Sequence, residues 1–90
     1  NIFILQDLQD MDFQSNIIHH GLFEECDLHT SNFSGCDLLD TEFIKCNLKK
    51  ANFKDASGYY LDIKTCQLKD AKVSLFEAVN LALQLGIEVD

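Results

Sequence analysis

The sequence of 90 residues contains no arginine, no proline and no tryptophan, and its seven basic residues are all lysines. Fifteen acidic residues give it a formal net charge of −8. The negative charge is concentrated in residues 1–44, which hold nine acids and no lysine. Nucleic-acid binders depend on clustered basic side chains that neutralise phosphates. The composition therefore argues against direct nucleic-acid binding and favours a partner with a basic protein surface.

The sequence also lacks the signals of several other protein classes. No apolar run approaches the roughly 20 residues that cross a membrane, and no signal peptide is visible. There is no glycine-rich phosphate loop, no Cys-x-x-Cys pair and no nucleophile elbow. The histidines His19, His20 and His29 have no matching nucleophile. We therefore expect a protein that is not an enzyme and that uses neither a metal nor a cofactor.

A repeat of five residues runs through most of the chain. At every fifth residue from Phe3 to Val73 the side chain is large and apolar, except at Gly58. The residue two positions before each centre is mostly small or neutral, and from Asp27 to Asn52 the residue before each centre is mostly Asp, Asn or Glu. A period of five fits neither an α-helix nor a flat strand, so the pattern indicates a repeat architecture.

The stretches CDLHT, SNFSG, CDLLD, CNLKK and ANFKD resemble the A(D/N)LXX motif of the pentapeptide-repeat family. The resemblance covers about residues 6–73. It implies an all-β solenoid, a right-handed quadrilateral β-helix of about 3.5 coils over residues 1–73, in which each pentapeptide forms one side. In that fold the centre and the residue two before it point inward, and the other three point outward.

Residues twenty apart would then stack on one another. Two ladders of large side chains are expected to face each other across the core. One ladder consists of Phe3, Phe23, Phe43 and Ile63, and the other of Phe13, Phe33, Phe53 and Val73. Aliphatic ladders would occupy the two remaining sides. The core is therefore predicted to be dry and regular along the whole rod.

The four cysteines, Cys26, Cys36, Cys46 and Cys66, all take the small inward position. Parallel side chains on coils about 4.8 Å apart leave the Cβ atoms farther apart than a disulfide requires. A linear ladder also cannot surround a tetrahedral zinc ion. We predict buried cysteines that act as small apolar residues, and four unpaired thiols favour a cytoplasmic location.

The repeat is irregular in residues 1–22 and 56–61. Gly58 takes a centre position and Leu61 a small one, which predicts a local distortion with preserved phase, where Tyr59 or Tyr60 fills the space. The alternative is a recognition loop that carries both tyrosines. Near the start, Ile2, Ile17 and Leu22 take outward positions, either as a contact patch or beneath a preceding segment. Because the chain begins at Asn1, it is expected to be a processed product or the C-terminal fragment of a longer rod.

Residues 74–90 leave the repeat. Ser74 and Glu77 form a capping-box pattern that predicts a helix from Leu75, and Gly86 is a typical C′ residue. Residues 87–90 alternate like a short strand. The polar helical residues occupy a narrow stripe, so one apolar side can seal the last coil and the rest requires another partner.

This ending is similar to the C-terminal module of Qnr-type pentapeptide-repeat proteins, which makes a two-fold dimer. The resemblance implies a homodimer through residues 74–90, and the implied contact set is Val79, Leu81, Leu85, Ile87 and Val89. The alternative is that the helix only caps a monomer.

Qnr-type proteins bind type II topoisomerases, DNA gyrase and topoisomerase IV, by imitating duplex DNA, and they protect against quinolones. The resemblance implies a DNA-mimic scaffold whose acidic partner-binding surface is Asp10, Glu24, Glu25, Asp40 and Glu42. A rod of about 17 Å is shorter than the roughly 34 Å of one duplex turn, so a dimer would be needed. The alternative is a generic interaction scaffold with another protein partner.

Overall fold

A computed structural model describes residues 1–88 of the chain. Within these residues, six short strands precede one helix. The strands are β1 (Ile2–Ile4), β2 (Leu22–Glu24), β3 (Glu42–Ile44), β4 (Asn52–Phe53), β5 (Tyr60–Leu61) and β6 (Lys72–Val73), and the helix is α1 (Leu75–Gln84). All strand pairs are parallel, with β1, β2, β3 and β5 in one sheet and β4 and β6 in another.

The strands and isolated bridges define a coil with four sides. Ile2 pairs with Leu22, and further parallel bridges follow at five-residue intervals, namely Asp7 with Asp27, Asp12 with Asn32 and Ile17 with Asp37. Each residue of the first coil therefore lies against the residue twenty positions later. The predicted stack of pentapeptide sides is confirmed over this region, and the first coil keeps the register of the second despite its irregular side chains.

The phenylalanine ladders fill the core as the sequence predicts. Within each ladder the rings are nearly parallel, with centroids 4.6 Å apart for Phe3 and Phe23 and 4.8 Å apart for Phe23 and Phe43. The opposite ladder, which contains Phe33 and Phe53, meets the first edge to face at interplanar angles of 80° to 88°. Both arrangements suit the quadrupole of the aromatic ring, so the core gains ring contacts beyond simple burial.

The polar residue before each centre closes the corner that follows. The side-chain oxygens of Asp12, Asn32 and Asn52 each accept a hydrogen bond from the backbone N–H two residues later, at 3.0, 2.9 and 3.0 Å. The last residue of most pentapeptides is left-handed, and eleven of these residues are not glycine. Because each such residue costs roughly 1–2 kcal/mol, the side-chain bonds help to hold a strained corner.

The inward cysteines have a second role that the spacing did not indicate. The Sγ atoms of Cys26, Cys36 and Cys46 lie 3.1, 2.9 and 3.2 Å from the carbonyl oxygens of the residues 23 positions earlier, to which they donate. The hydroxyls of Ser31 and Thr41 make the same bond at 2.8 and 2.6 Å. The small inward position is therefore a donor position that links one coil to the previous one, and all four cysteines are free thiols.

The register changes around Gly58, and here the predicted ladder is wrong. Glu42 pairs with Tyr60 and Phe43 pairs with Leu61, an offset of 18 residues. Leu61, and not Ile63, therefore stacks on Phe43. The offset of twenty returns at the bridge between Asn47 and Gln67. Two residues are lost at the Gly58 corner and recovered in the following turn, so the phase survives as predicted but through two compensating shifts.

Tyr59 fills the space beside the shortened corner. Its side chain is buried, and its ring centroid is 4.9 Å from that of Phe53. The hydroxyl of Tyr59 is buried without a hydrogen-bond partner among residues 1–88. Burial, and then the charge of Glu77, raise the pKa of this hydroxyl.

Helix α1 begins at Leu75 as predicted, but without the capping box. Ser74 makes no side-chain bond to the helix, because its hydroxyl accepts the backbone N–H of Asp55 at 2.8 Å. The end of the helix is a Schellman motif, in which the N–H of left-handed Gly86 bonds to Leu83 and that of Ile87 to Ala82. Gly86 is thus confirmed as the C′ residue.

The predicted terminal strand is not formed by the residues that the structure describes. Ile87 and Glu88 have no strand partner among residues 1–88, and Val89 and Asp90 lie outside the described residues. The Schellman bonds engage the N–H of Ile87, so the chain is still completing the helix end at this point.

Gly58→Ala should destabilise the protein much more than Gly86→Ala. Both glycines have φ of +80°, but a Cβ at residue 58 would lie 2.7 Å from the Cα of Leu39, whereas a Cβ at residue 86 meets nothing within 4 Å. We expect losses of about 2–5 kcal/mol and about 1 kcal/mol respectively, measured by urea unfolding. Equal losses would contradict the close approach of the two corners.

Candidate functional site

The sheet of β1, β2, β3 and β5 presents one side of the rod to solvent, and we call its outer surface the four-strand face. Its outward residues stack in two columns, Ile2, Leu22, Glu42 and Tyr60 in one and Ile4, Glu24 and Ile44 in the other. A solvated sheet surface is normally polar. A surface that mixes carboxylates with large apolar side chains is typical of an interaction site.

The apolar part of the four-strand face is well exposed at its first coil. Ile2 and Leu5 are exposed to 70% and 71%, and Ile4 is also exposed. Toward the other end Tyr60 is exposed, while Leu22 on β2 is half-buried. The face therefore offers apolar contact area along its length, with carboxylates on its middle coils.

Four of the five predicted acidic residues come together at this face. Glu24 and Glu42 lie on the neighbouring strands β2 and β3, and Glu25 follows β2 at the corner. Asp40 lies at the corner just before β3. Asp10 is at the far corner of the adjoining side, so the structure does not bring it to this surface.

These acids differ from the aspartates whose carboxylates accept backbone hydrogen bonds at the corners of the coil. Asp7, Asp27 and Asp37 each accept a backbone N–H two residues later, which commits their carboxylates to a corner. Glu24 and Glu42 accept no such bond among the described residues, so their carboxylates are available to a partner. Their role in binding stays a prediction.

Two histidine–aspartate pairs lie beside the four-strand face. The Nε2 atom of His19 is 2.7 Å from Oδ2 of Asp37, and Nδ1 of His20 is 3.2 Å from Oδ2 of Asp40. The hydrogen bond from His19 holds the pKa of Asp37 below its ordinary value. His20 and Asp40 form their pair at the edge of the acidic surface.

The two tyrosines proposed as a recognition loop have different environments. Tyr59 is buried against Phe53 and cannot meet a partner, whereas Tyr60 is exposed on the four-strand face. The idea of a loop with two accessible tyrosines is therefore wrong for Tyr59. Tyr60 joins the apolar column of the face instead.

A second candidate surface is the outer side of α1. Leu81 of the predicted dimer contact set packs against the core, and Val79 is half-buried. Leu85 and Ile87 are exposed, and Val89 lies outside the described residues. The helix thus turns part of the predicted set toward the rod.

Three apolar residues of this helix that lie outside the predicted contact set are also exposed. Leu75, Phe76 and Leu83 are exposed to 83%, 75% and 55%. Phe76, Val79 and Leu83 have the i, i+3, i+7 spacing of a single helical stripe. The sequence shows this spacing. Because the helix is apolar around most of its circumference, the spacing alone could not predict which side would pack against the last coil. We call the stripe of Phe76, Val79 and Leu83 the helix face.

Burial makes the Cys36 and Cys46 thiols poorly suited to chemistry, whereas the hydrogen bond with Cys46 lowers the pKa of the half-buried Cys66 thiol to about 7. Burial raises the pKa of Cys36. The hydrogen bond with Cys66, together with burial, raises the pKa of Cys46. Neither group is a ready thiolate nucleophile near neutral pH. Within residues 1–88, no three His, Cys, Asp or Glu side chains cluster as metal ligands.

Among the same residues, no helix has the length and apolarity needed to cross a membrane.

Comparisons with known proteins agree with this architecture. A family model described as "Pentapeptide repeat region" matches residues 2–83. Trypsin-treated QnrB1, a plasmid-mediated fluoroquinolone resistance protein, superposes with a TM-score of 0.64 at 16% identity, over 100% of this chain and 81% of that one. Rfr23, a pentapeptide repeat protein from the cyanobacterium Cyanothece 51142, gives a TM-score of 0.40 at 16% identity, over 82% and 60%. No curated protein sequence matches the chain.

His19→Ala should raise the pKa of Asp37 toward its ordinary value of 3.8, because it removes the main cause of the shift. An Asp whose pKa is lower in the folded chain stabilises it above the unfolded-state pKa, and this contribution is lost as the pH falls through the folded-state pKa. The wild type should therefore lose more stability than the variant on acidification through that range.

The measurement is an NMR titration of the Asp37 carboxyl carbon, combined with urea unfolding at several pH values. His20→Ala is the control, since it faces Asp40 and should leave Asp37 unchanged. An unaltered titration of Asp37 in the His19 variant would contradict the pairing.

Proposed function

Because the chain belongs to the pentapeptide-repeat family, whose coils form a right-handed quadrilateral β-helix, we propose that it is a non-enzymatic, dimeric protein-binding scaffold. Its leading partner is a type II topoisomerase such as DNA gyrase. The four-strand face carries the partner contact, and the helix face carries self-association.

The observation behind this proposal is the composition of the four-strand face. It combines carboxylates at Glu24 and Glu42 with apolar side chains in both of its columns. Charge complementarity selects a basic partner surface and increases the association rate, while apolar contact supplies the buried area. No lysine lies within β1, β2, β3 or β5, although Lys45 follows β3 at the corner position that Glu25 takes after β2.

The choice of a topoisomerase draws on the family relationship. QnrB1 is a fluoroquinolone resistance protein. The ending of this chain, residues 74–90, resembles the C-terminal module of Qnr-type proteins, and that resemblance implies binding to DNA gyrase or topoisomerase IV. The chain, with its helix, measures 37 Å along its longest axis, which exceeds the roughly 34 Å of a duplex turn, so a dimer is not needed to reach that length. Two chains joined at their helices would extend beyond one turn of the DNA that they imitate.

Self-association through α1 is supported by the exposure of the helix face. An isolated surface helix normally turns its apolar stripe toward the core, but here Phe76 and Leu83 point away from it. A second copy related by a two-fold axis would cover the same stripe on both chains. The cost of leaving these side chains in water, roughly 1.5–3 kcal/mol for each, would then be removed.

Leu83→Asp should convert the dimer to a monomer, because it places a charge in the centre of the helix face. Analytical ultracentrifugation should give about twice the chain mass of 10.2 kDa for the wild type and the single-chain mass for the variant. Gln84→Glu is the matched control, since it adds the same charge to an exposed position of the same helix that lies outside the stripe. A wild-type monomer, or a variant dimer, would contradict the proposal.

The double variant Glu24→Lys, Glu42→Lys should weaken binding to purified DNA gyrase. Reversing two carboxylates at the centre of an interface is expected to reduce affinity at least about tenfold. Binding can be measured by surface plasmon resonance with the full chain, and duplex DNA should compete. Asp55→Lys, on the opposite side of the coil, is the control.

Three results would bear against the topoisomerase assignment. They are no binding by the wild type, binding that duplex DNA does not displace, and an equal loss in the Asp55→Lys control. A partner other than gyrase that is lost on Glu24→Lys, Glu42→Lys would keep the face as a binding site and replace the topoisomerase.

A further inference from the structure

The side of the rod next to the four-strand face changes sign along its length. Residues 9, 29, 49 and 69 stack in one column, in the register that the bridges at residues 7, 27, 47 and 67 define. This column reads Gln9, His29, Lys49 and Lys69. This column therefore passes from uncharged at the first coil to basic at the last coils, and the side as a whole passes from acidic, with Asp7 and Asp10, to basic, in a chain whose net charge is −8.

A cleft lies at the basic end. Its volume is about 360 Å³, and it is lined by His29, Lys49, Lys50, Lys69 and Asp70, which together we call the lysine cleft. The backbone fixes its base, because Thr30 N–H bonds to the carbonyl of Lys49 at 2.9 Å and Lys50 N–H bonds to that of Lys69 at 3.0 Å. Clefts that bind small molecules start at roughly 300 Å³.

The lysines of the cleft are not arranged as ion pairs. Stacked coils hold Lys49 and Lys69 about 4.8 Å apart at the backbone, and like charges that face each other in a sheet repel. Among residues 1–88 the ion pairs within 4.0 Å are the two between histidine and aspartate, so no lysine is paired there. Three ammonium groups share one carboxylate, that of Asp70.

In the neighbouring column, neutral amides stand on the later coils at positions where the first coils have acids, so no carboxylate of that column balances the charge there. Asp7 and Asp27 of the first coils are followed at the stacked positions by Asn47 and Gln67. Asn47 closes its corner through Oδ1, which accepts the N–H of Lys49 at 3.2 Å, as Asp27 does for His29 at 3.3 Å. An aspartate would therefore serve the fold equally well, and the neutral amide leaves the lysines uncompensated.

From this arrangement we propose that the lysine cleft binds the dianionic phosphoryl group of a small molecule. The three ammonium groups and Asp70 leave a net charge of two in the cleft, which a phosphate dianion balances and a single carboxylate does not. Lysine is a common phosphate ligand that acts as a point charge with three donors. A long polyanion is disfavoured, because the rest of the chain carries the same sign as the ligand.

The test uses the full chain and inorganic phosphate as the probe, at constant ionic strength. In ¹H–¹⁵N spectra, saturable shifts should concentrate at the amides of Lys49, Lys50, Lys69 and Asp70. The double variant Lys49→Gln, Lys69→Gln should raise the Kd at least about tenfold, since it removes two charge-assisted hydrogen bonds. Unfolding midpoints of the variants check that the coil is intact.

The matched control is Lys54→Gln, Lys72→Gln, which removes two lysines from the adjoining side of the rod. It should change the Kd by no more than about twofold, because those charges are screened from the cleft. An equal loss in both double variants, or shifts that do not saturate, would overturn the proposal.

A nucleoside monophosphate forms the second arm of the experiment. A Kd equal to that of inorganic phosphate assigns the cleft to the phosphoryl group alone, and a lower Kd shows that the cleft also contacts the rest of the ester. Neither outcome depends on the helix face or on the four-strand face, so this inference stands apart from the proposed topoisomerase scaffold.

Discussion

The main-chain hydrogen bonds between successive coils hold each residue against the residue twenty positions along the chain, and every other feature of the molecule depends on this register. It aligns the phenylalanine rings in parallel stacks, with centroids 4.6 to 5.0 Å apart within each ladder. It also brings each inward thiol or hydroxyl to a carbonyl of the previous coil. The left-handed corners are tolerated because this register over-determines them.

The same register converts sequence columns into surfaces. Any property that recurs every twenty residues becomes a stripe along the rod, and a property that changes with the coil becomes a gradient. The four-strand face keeps a mixed apolar and acidic character, whereas the adjoining side passes from Asp7 and Asp10 to Lys49 and Lys50. Two surfaces of opposite sign can therefore share one small core without competing for the same residues.

The sequence was sufficient for the coil, the aromatic ladders and the start of α1, because each rests on one residue type at a fixed spacing. It was not sufficient for Leu61, since a rule of equal spacing cannot show that Gly58 permits a shorter corner. It also failed at Ser74, whose hydroxyl had two possible partners and took the backbone of Asp55. The rotation of α1 was undetermined because an arc of nearly all apolar residues offers several sealing sides. The sequence assigned acids to the binding surface by their charge and outward position. Only the structure distinguishes Glu24 and Glu42 from the aspartates that accept hydrogen bonds at the corners of the coil.

The two register shifts around Gly58 are equal in size and opposite in sign. Each would displace every later layer if it occurred alone, and together they cancel, so the distortion stays between Ser57 and Gln67. The offset of twenty residues is restored after the distortion, as the bridge of Asn47 with Gln67 shows. A solenoid built in this way can acquire an irregular loop at one level of its surface while the levels on either side keep their alignment.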